Sequence, residues 1–106
     1  RFLYEAVRAP DGHLIVDEIY QGLVYDTPEV TALALGEENL FVVNSFSKFF
    51  GMTGWRLGWI VAPTEYVSAL DRLAQNIFLA APTLSQHAAL AAFETDTLEI
   101  LEARRK

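Results

Sequence analysis

Ser45-Phe46-Ser47-Lys48-Phe49-Phe50-Gly51-Met52-Thr53-Gly54-Trp55-Arg56-Leu57-Gly58-Trp59 is the stretch around which the chain is organised. Its lysine stands between serines and phenylalanines at the end of the apolar run Leu40-Phe41-Val42-Val43, and an arginine follows eight residues later in a glycine-rich segment. Apolar surroundings make an ammonium hard to keep charged and leave the amine a better nucleophile toward a carbonyl or aldehyde. Arg56 and the hydroxyls of Ser45 and Ser47 supply donors for an anion. The stretch therefore pairs a reactive amine with a phosphate-sized anion site.

Length and composition bound what surrounds it. The 106 residues suit one small domain with a modest core. A hydrophobic fraction of 52% lies slightly above that of a freestanding soluble domain, so the surface expects cover from something else. Eight basic residues against 14 acidic ones leave a net charge of −6 without a long like-charge block, which argues against nucleic acid or an anionic membrane as partner. Arg104-Arg105-Lys106 is the one basic cluster, and a solvated helix end accounts for it. The chain has no cysteine, so disulfides and thiolate metal sites are excluded. His13 and His87 lack ligand spacing, so no metal site is expected. No apolar run reaches membrane-spanning length, and no basic region followed by an apolar one opens the chain, which makes a soluble cytoplasmic protein the default expectation.

Phe2 to Ala9 carries Leu3, Ala6 and Val7 on one face and reads as the end of a helix that begins without a cap, as if the chain were cut there. Pro10-Asp11-Gly12 signals a turn. His13 to Tyr20 then runs apolar before turning polar, the pattern of a strand buried on both faces with polar residues at its carboxyl end. Gln21 to Glu38 reads as a loop with a short helical turn around Val30 to Leu35, and Leu40 to Phe46 as a second buried strand. Arg56 to Val61 is a third strand, ended by Ala62-Pro63. Thr64 can cap a helix whose Val67, Leu70, Leu73, Ala74, Ile77 and Phe78 share a face and which Pro82 interrupts near its end. Further helices are expected from about Leu84 to Phe93 and from Thr97 onward, the latter capped by Thr95 or Asp96. About three strands with flanking helices indicate an α/β layer whose functional groups gather at strand carboxyl ends.

Two such ends matter together. If the first two strands are neighbours in a parallel sheet, Asp17 and Tyr20 from one converge with Ser45, Ser47 and Lys48 from the other. An amine beside an anion site is suited to pyridoxal phosphate, whose aldehyde condenses with lysine. The resemblance is then specific: Asp17-Glu18-Ile19-Tyr20, Ser45-Phe46-Ser47-Lys48 and Met52-Thr53-Gly54-Trp55-Arg56-Leu57-Gly58 together resemble the aspartate aminotransferase superfamily, class I/II, fold type I. Order, the Ser-x-x-Lys spacing and the Lys-to-Arg interval all agree with the family pattern, across essentially the whole chain.

The resemblance implies a role for each residue. Lys48 would carry pyridoxal 5′-phosphate (PLP) as a Schiff base and, once freed, move the proton at the substrate's α-carbon. Asp17 would pair with the protonated pyridine nitrogen, and Tyr20 with the phenolic oxygen. Ser45 and Arg56 would bind the phosphate, with Ser47 a weaker candidate. Gly51, Gly54 and Gly58 would let the backbone turn and approach closely. The implied reaction passes an amino group between an amino acid and a 2-oxo acid in a homodimer. A carbon–sulfur lyase or synthase on the same scaffold, or a non-catalytic module of a regulator, shares the same residues. The resemblance also implies that residues 1–106 are a middle part of the large domain, with residues 94–106 starting the helix toward a missing small domain, and that the isolated chain has little or no transaminase activity.

Several motifs admit plainer readings. Ser45-x-x-Lys48 fits a serine and lysine acyl-transfer pair, but its Ser-Asp-Asn and Lys-Thr-Gly partners are absent. The glycines around Gly51 fit no P-loop, because no Gly-Lys-Ser/Thr follows. Phe49, Phe50, Trp55 and Trp59 read as core or interface packing. Asn76 to Gln86 resembles a family segment that approaches the partner subunit's active site, and equally a turn between two helices.

Overall fold

The sheet is built on the strand Leu40–Ser45 (β2), whose alternating side chains send Leu40, Val42 and Asn44 into the interior. The computed structural model describes residues 1–8, 12–36 and 38–106. Leu14–Asp17 (β1) pairs with β2 in parallel, from Leu14 opposite Leu40 to Asp17 opposite Val43. Gly58–Val61 (β3) pairs with the other side of β2 antiparallel, from Val42 opposite Val61 to Ser45 opposite Gly58. The carboxyl ends of β1 and β2 thus share one edge, as the sequence implied, while β3 enters from that edge and runs back.

The helices are Phe2–Arg8 (α1), Thr64–Ile77 (α2), Thr83–Ala92 (α3) and Thr95–Arg105 (α4), with 3₁₀ turns at Ala32–Leu35 and Thr53–Trp55. Two apolar clusters hold α1 and α3 to the sheet and its loops. Tyr4 of α1 packs with Leu40 and Val42, and Leu14, Val16, Ala32 and Leu33 close around them. Phe46 and Met52 pack with Ala89 and Ala92 of α3, flanked by Phe50, Leu57 and Ala88. The second cluster seats the loop that follows β2 directly on a helix.

Several boundaries differ from expectation, each for a local reason. β1 is four residues long and Ile15 is 68% exposed, because β1 pairs only with β2 and its outer face is uncovered. β2 ends at Ser45, since Phe46 already turns to donate its N–H to Leu57 O. β3 starts at Gly58 because Arg56 is left-handed (φ 50°), which no strand residue can be. Pro63, not Thr64, occupies the cap position of α2 and has no side-chain hydrogen bond to offer. That helix stops at Ile77, well before Pro82, where Phe78 N–H closes on Ala74 O and Leu79 turns left-handed at φ 67°. Pro82 instead precedes α3. α4 begins at Thr95, two residues before the expected start, with Glu94 in the cap position. The turn expected at Pro10-Asp11, and the last residue of the first helix, Ala9, lie outside the described residues.

The accessible surface is 7814 Å², whereas a self-contained monomer of 11.9 kDa exposes about 6,000 Å². Much of the excess is apolar: Val67, Leu73, Ile77 and Phe78, the face expected to seal α2, are all exposed. No helix among the described residues is long and apolar enough to cross a membrane.

The buried and open sides of the sheet carry unequal weight. Leu40 is 1% exposed, so Leu40→Ala should lose roughly 2–4 kcal/mol of folding stability, whereas Ile15→Ala should lose less than about 0.5. Urea unfolding checks this, and equal losses would show that the sheet's covered face is not the one described.

Candidate active site

The shared carboxyl edge of β1 and β2 collects the residues singled out by sequence. Asp17 ends β1 and turns its carboxylate back, Oδ1 accepting from Ile19 N–H at 3.1 Å. This Asx turn brings the chain round to Tyr20, whose ring is 61% exposed. Lys48 Nζ lies 5.3 Å from the centroid of that ring, within cation–π range. The structure therefore brings Lys48 and Tyr20 together across the two strand ends. Lys48 is exposed, so the apolar enclosure expected of it is not supplied by the described residues.

The anion side is more tightly built. Ser45 Oγ accepts from Ser47 N–H at 3.0 Å and offers its own proton to Ser47 Oγ (2.9 Å) or to Leu57 O (3.3 Å). Ser45, Ser47 and Arg56 line one depression of about 220 Å³ together with Ile19, Val43, Asn44, Leu57 and Gly58, and no carboxylate is among these. Arg56 spends one N–H, from Nη1, on Thr53 O at 3.3 Å. Thr53 Oγ1 donates in turn to Ser47 O at 2.7 Å, which ties the two ends of the loop together. A larger cavity of about 390 Å³ lies around Leu40, Val61 and Thr64, at the opposite edge of the sheet from these residues.

Comparison with known proteins identifies the family. The family description "Aminotransferase class I and II" matches residues 1–106. The chain belongs to the class I and II aminotransferases. A (5-formylfuran-3-yl)methyl phosphate transaminase from Methanocaldococcus jannaschii is 43% identical over 99 residues, which are 92% of this chain and 27% of that protein. A valine–pyruvate aminotransferase from Mycobacterium tuberculosis is 49% identical over 86 residues, covering 80% of this chain and 22% of its own length. Among solved structures, a Methanococcus jannaschii protein described as similar in its active site to kynurenine aminotransferases superposes with a TM-score of 0.91 at 39% identity, over 99% of this chain and 29% of that one. A Thermus thermophilus aspartate aminotransferase variant gives 0.89 at 28% identity, over 97% and 28%. The chain spans about a quarter of the length of these relatives, and its mixed three-stranded sheet with flanking helices is part of the fold type I architecture.

Within this aminotransferase edge, sequence reading missed three residues that hold it in place. Glu18, between Asp17 and Tyr20, accepts from Ala32 N–H at 2.6 Å and from Thr31 Oγ1 at 2.9 Å, anchoring the loop after Tyr20 to the Ala32–Leu35 turn. Asn44 is buried in β2, donates to Gln21 Oε1 at 2.9 Å and accepts from Ser45 N–H at 2.8 Å. An asparagine at an inward-facing position of an apolar strand was the available signal, because a buried amide needs partners. Ser85, in the first turn of α3, donates to Trp55 O across 30 residues and carried no local signal at all.

The three loop glycines separate cleanly. Gly51 has φ 65°, where side chains other than glycine's are strained. At Gly58 an added Cβ would meet Asn44 O at 2.6 Å, whereas at Gly54 nothing lies within 4 Å. Gly58→Ala should therefore push β3 off the end of β2, lowering the melting temperature and moving the Ser45 and Ser47 amide resonances, while Gly54→Ala leaves them in place. Indistinguishable spectra for the two variants would overturn the close-approach reading.

Proposed function

We propose that this chain forms one wall of a PLP site in an aminotransferase that moves an amino group between an amino acid and a 2-oxo acid. The observation that carries the reading is the meeting of Lys48, Tyr20 and the Ser45, Ser47 and Arg56 depression at one sheet edge, in a chain of this family. The donor set fits the cofactor: two hydroxyls and a guanidinium face a space free of carboxylates, which suits a phosphate dianion. Lys48 is the amine to which the cofactor's aldehyde would attach. Bound there, PLP supplies electron withdrawal from the substrate's α-carbon.

The chain's own residues do the rest. Lys48 Nζ takes and returns the proton at that α-carbon. Asp17 would pair with the protonated pyridine nitrogen, whose proton a neutral partner would release. Tyr20 would hydrogen-bond the phenolic oxygen, and its ring lies beside Lys48 Nζ. Ser47, which accepts from Ser45, keeps its own hydroxyl proton to give toward a phosphate. Relatives named as transaminases favour amino transfer over lyase or synthase chemistry on the same scaffold. The large exposed apolar area fits a large domain that works within a cytoplasmic homodimer.

Lysine chemistry tests the assignment without relying on turnover. Incubation with PLP followed by borohydride reduction should attach the cofactor to Lys48 and spare Lys106, the only other lysine. Lys48→Ala should lower the incorporated label at least about tenfold. Peptide mapping that finds equal labelling of Lys106, or undiminished labelling of the variant, would refute the reading.

A further inference from the structure

We infer that Ser85 is a positioning residue for Arg56: its hydroxyl, delivered from α3, holds the backbone that aims the guanidinium into the anion depression. The inference rests on the phosphate reading of that depression and adds to it the device that keeps it in shape. Arg56 follows the Thr53–Trp55 turn and sits in the left-handed region at φ 50°, ψ 50°. That position at the end of a helical turn ordinarily falls to glycine, because a Cβ there clashes with the backbone. Glycine has no guanidinium, so an arginine here requires the surrounding structure to impose the strained conformation.

The backbone is held just before Arg56 and again one peptide beyond it. On its amino side, Trp55 O ends a helical turn and would lack a partner within that turn. Ser85 Oγ donates to it at 2.6 Å. Ser85 is 4% exposed, and a serine in the first turn of a helix ordinarily spends its hydroxyl on that helix's own backbone. On the carboxyl side, Leu57 O accepts from Phe46 N–H at 3.1 Å and faces Ser45 Oγ. The apolar contacts of Met52 with Ala89 and Ala92 bring α3 close but have no directional hold on a carbonyl, whereas the Ser85 bond has.

The experiment joins a backbone readout with a ligand readout on the 106-residue chain. NMR chemical shifts and couplings report the backbone of Arg56, and titration compares PLP with pyridoxal, which lacks the phosphate. Ser85→Ala should move Arg56 out of the left-handed region and cut the preference for PLP over pyridoxal about fivefold or more. Ser85→Thr, which keeps the hydroxyl, should retain both. Leu101→Ala, at a buried position in α4, should lower the melting temperature while changing neither. In Arg56→Gln, adding Ser85→Ala should cause no further loss of preference. A left-handed Arg56 in Ser85→Ala, or the same losses in Leu101→Ala, would overturn the inference whatever the ligands do. A wild-type chain that does not prefer PLP to pyridoxal would overturn the phosphate reading, and with it the phosphate role of Ser85, while the NMR readout alone decides whether Ser85 holds Arg56.

Discussion

The carbonyl of Leu57 is the point on which the carboxyl edge of the sheet depends. It accepts from Phe46 N–H and faces Ser45 Oγ, so the loop that leaves β2 returns to within one residue of where it left. That closure adds to the Thr53–Ser47 bond and the packing of Met52 on α3 in fixing the segment that carries Lys48 and Arg56. With it, a ten-residue excursion becomes a rigid feature whose inner side chains, Phe46 and Met52, are buried on α3. The left-handed Arg56 and the close packing of Gly58 on Asn44 follow from the same demand, because the chain must reverse within two residues of the closing bond.

How far the sequence disclosed this depended on whether the controlling force is local. The order of strands and helices, and the shared edge of β1 and β2, follow from apolar runs and turn residues and were legible. The ends were not. β3 starts late because of the backbone of Arg56, and α2 stops at Ile77 because of a left-handed Leu79, and neither conformation is the intrinsic preference of its residue. The meeting of Ser45, Ser47 and Arg56 at one depression, and of Lys48 with Tyr20, was legible through their spacing and a family resemblance. The supports were not: Glu18 reaches Thr31, and Ser85 reaches Trp55, across loops whose course no residue pattern announces.

The burial expected from composition also divides. The apolar runs suggested strands buried on both faces, yet Ile15 and the α2 face stay open and every residue of β3 is exposed, in line with a hydrophobic fraction of 52% that expects cover from something else. Apolar sequence shows that a surface is suited to burial, not that its cover lies in the same stretch of chain. Here a flat slab, 19 Å along its shortest axis, is too thin to cover its own sheet.

That thinness separates the two halves of the candidate site. The anion half is held by bonds internal to the chain: Ser45 to Ser47, Arg56 to Thr53, Thr53 to Ser47, and Ser85 to Trp55. These set donor geometry regardless of what covers the edge. The amine half is different, since Lys48 lies 5.3 Å from the face of Tyr20 and is exposed. The Tyr20 face orients Lys48 but leaves the rest of its strongly hydrated head open to water. The donor geometry of the proposed anion site is thus built into these residues, whereas the enclosure that the proposed role of Lys48 requires depends on surfaces brought against them.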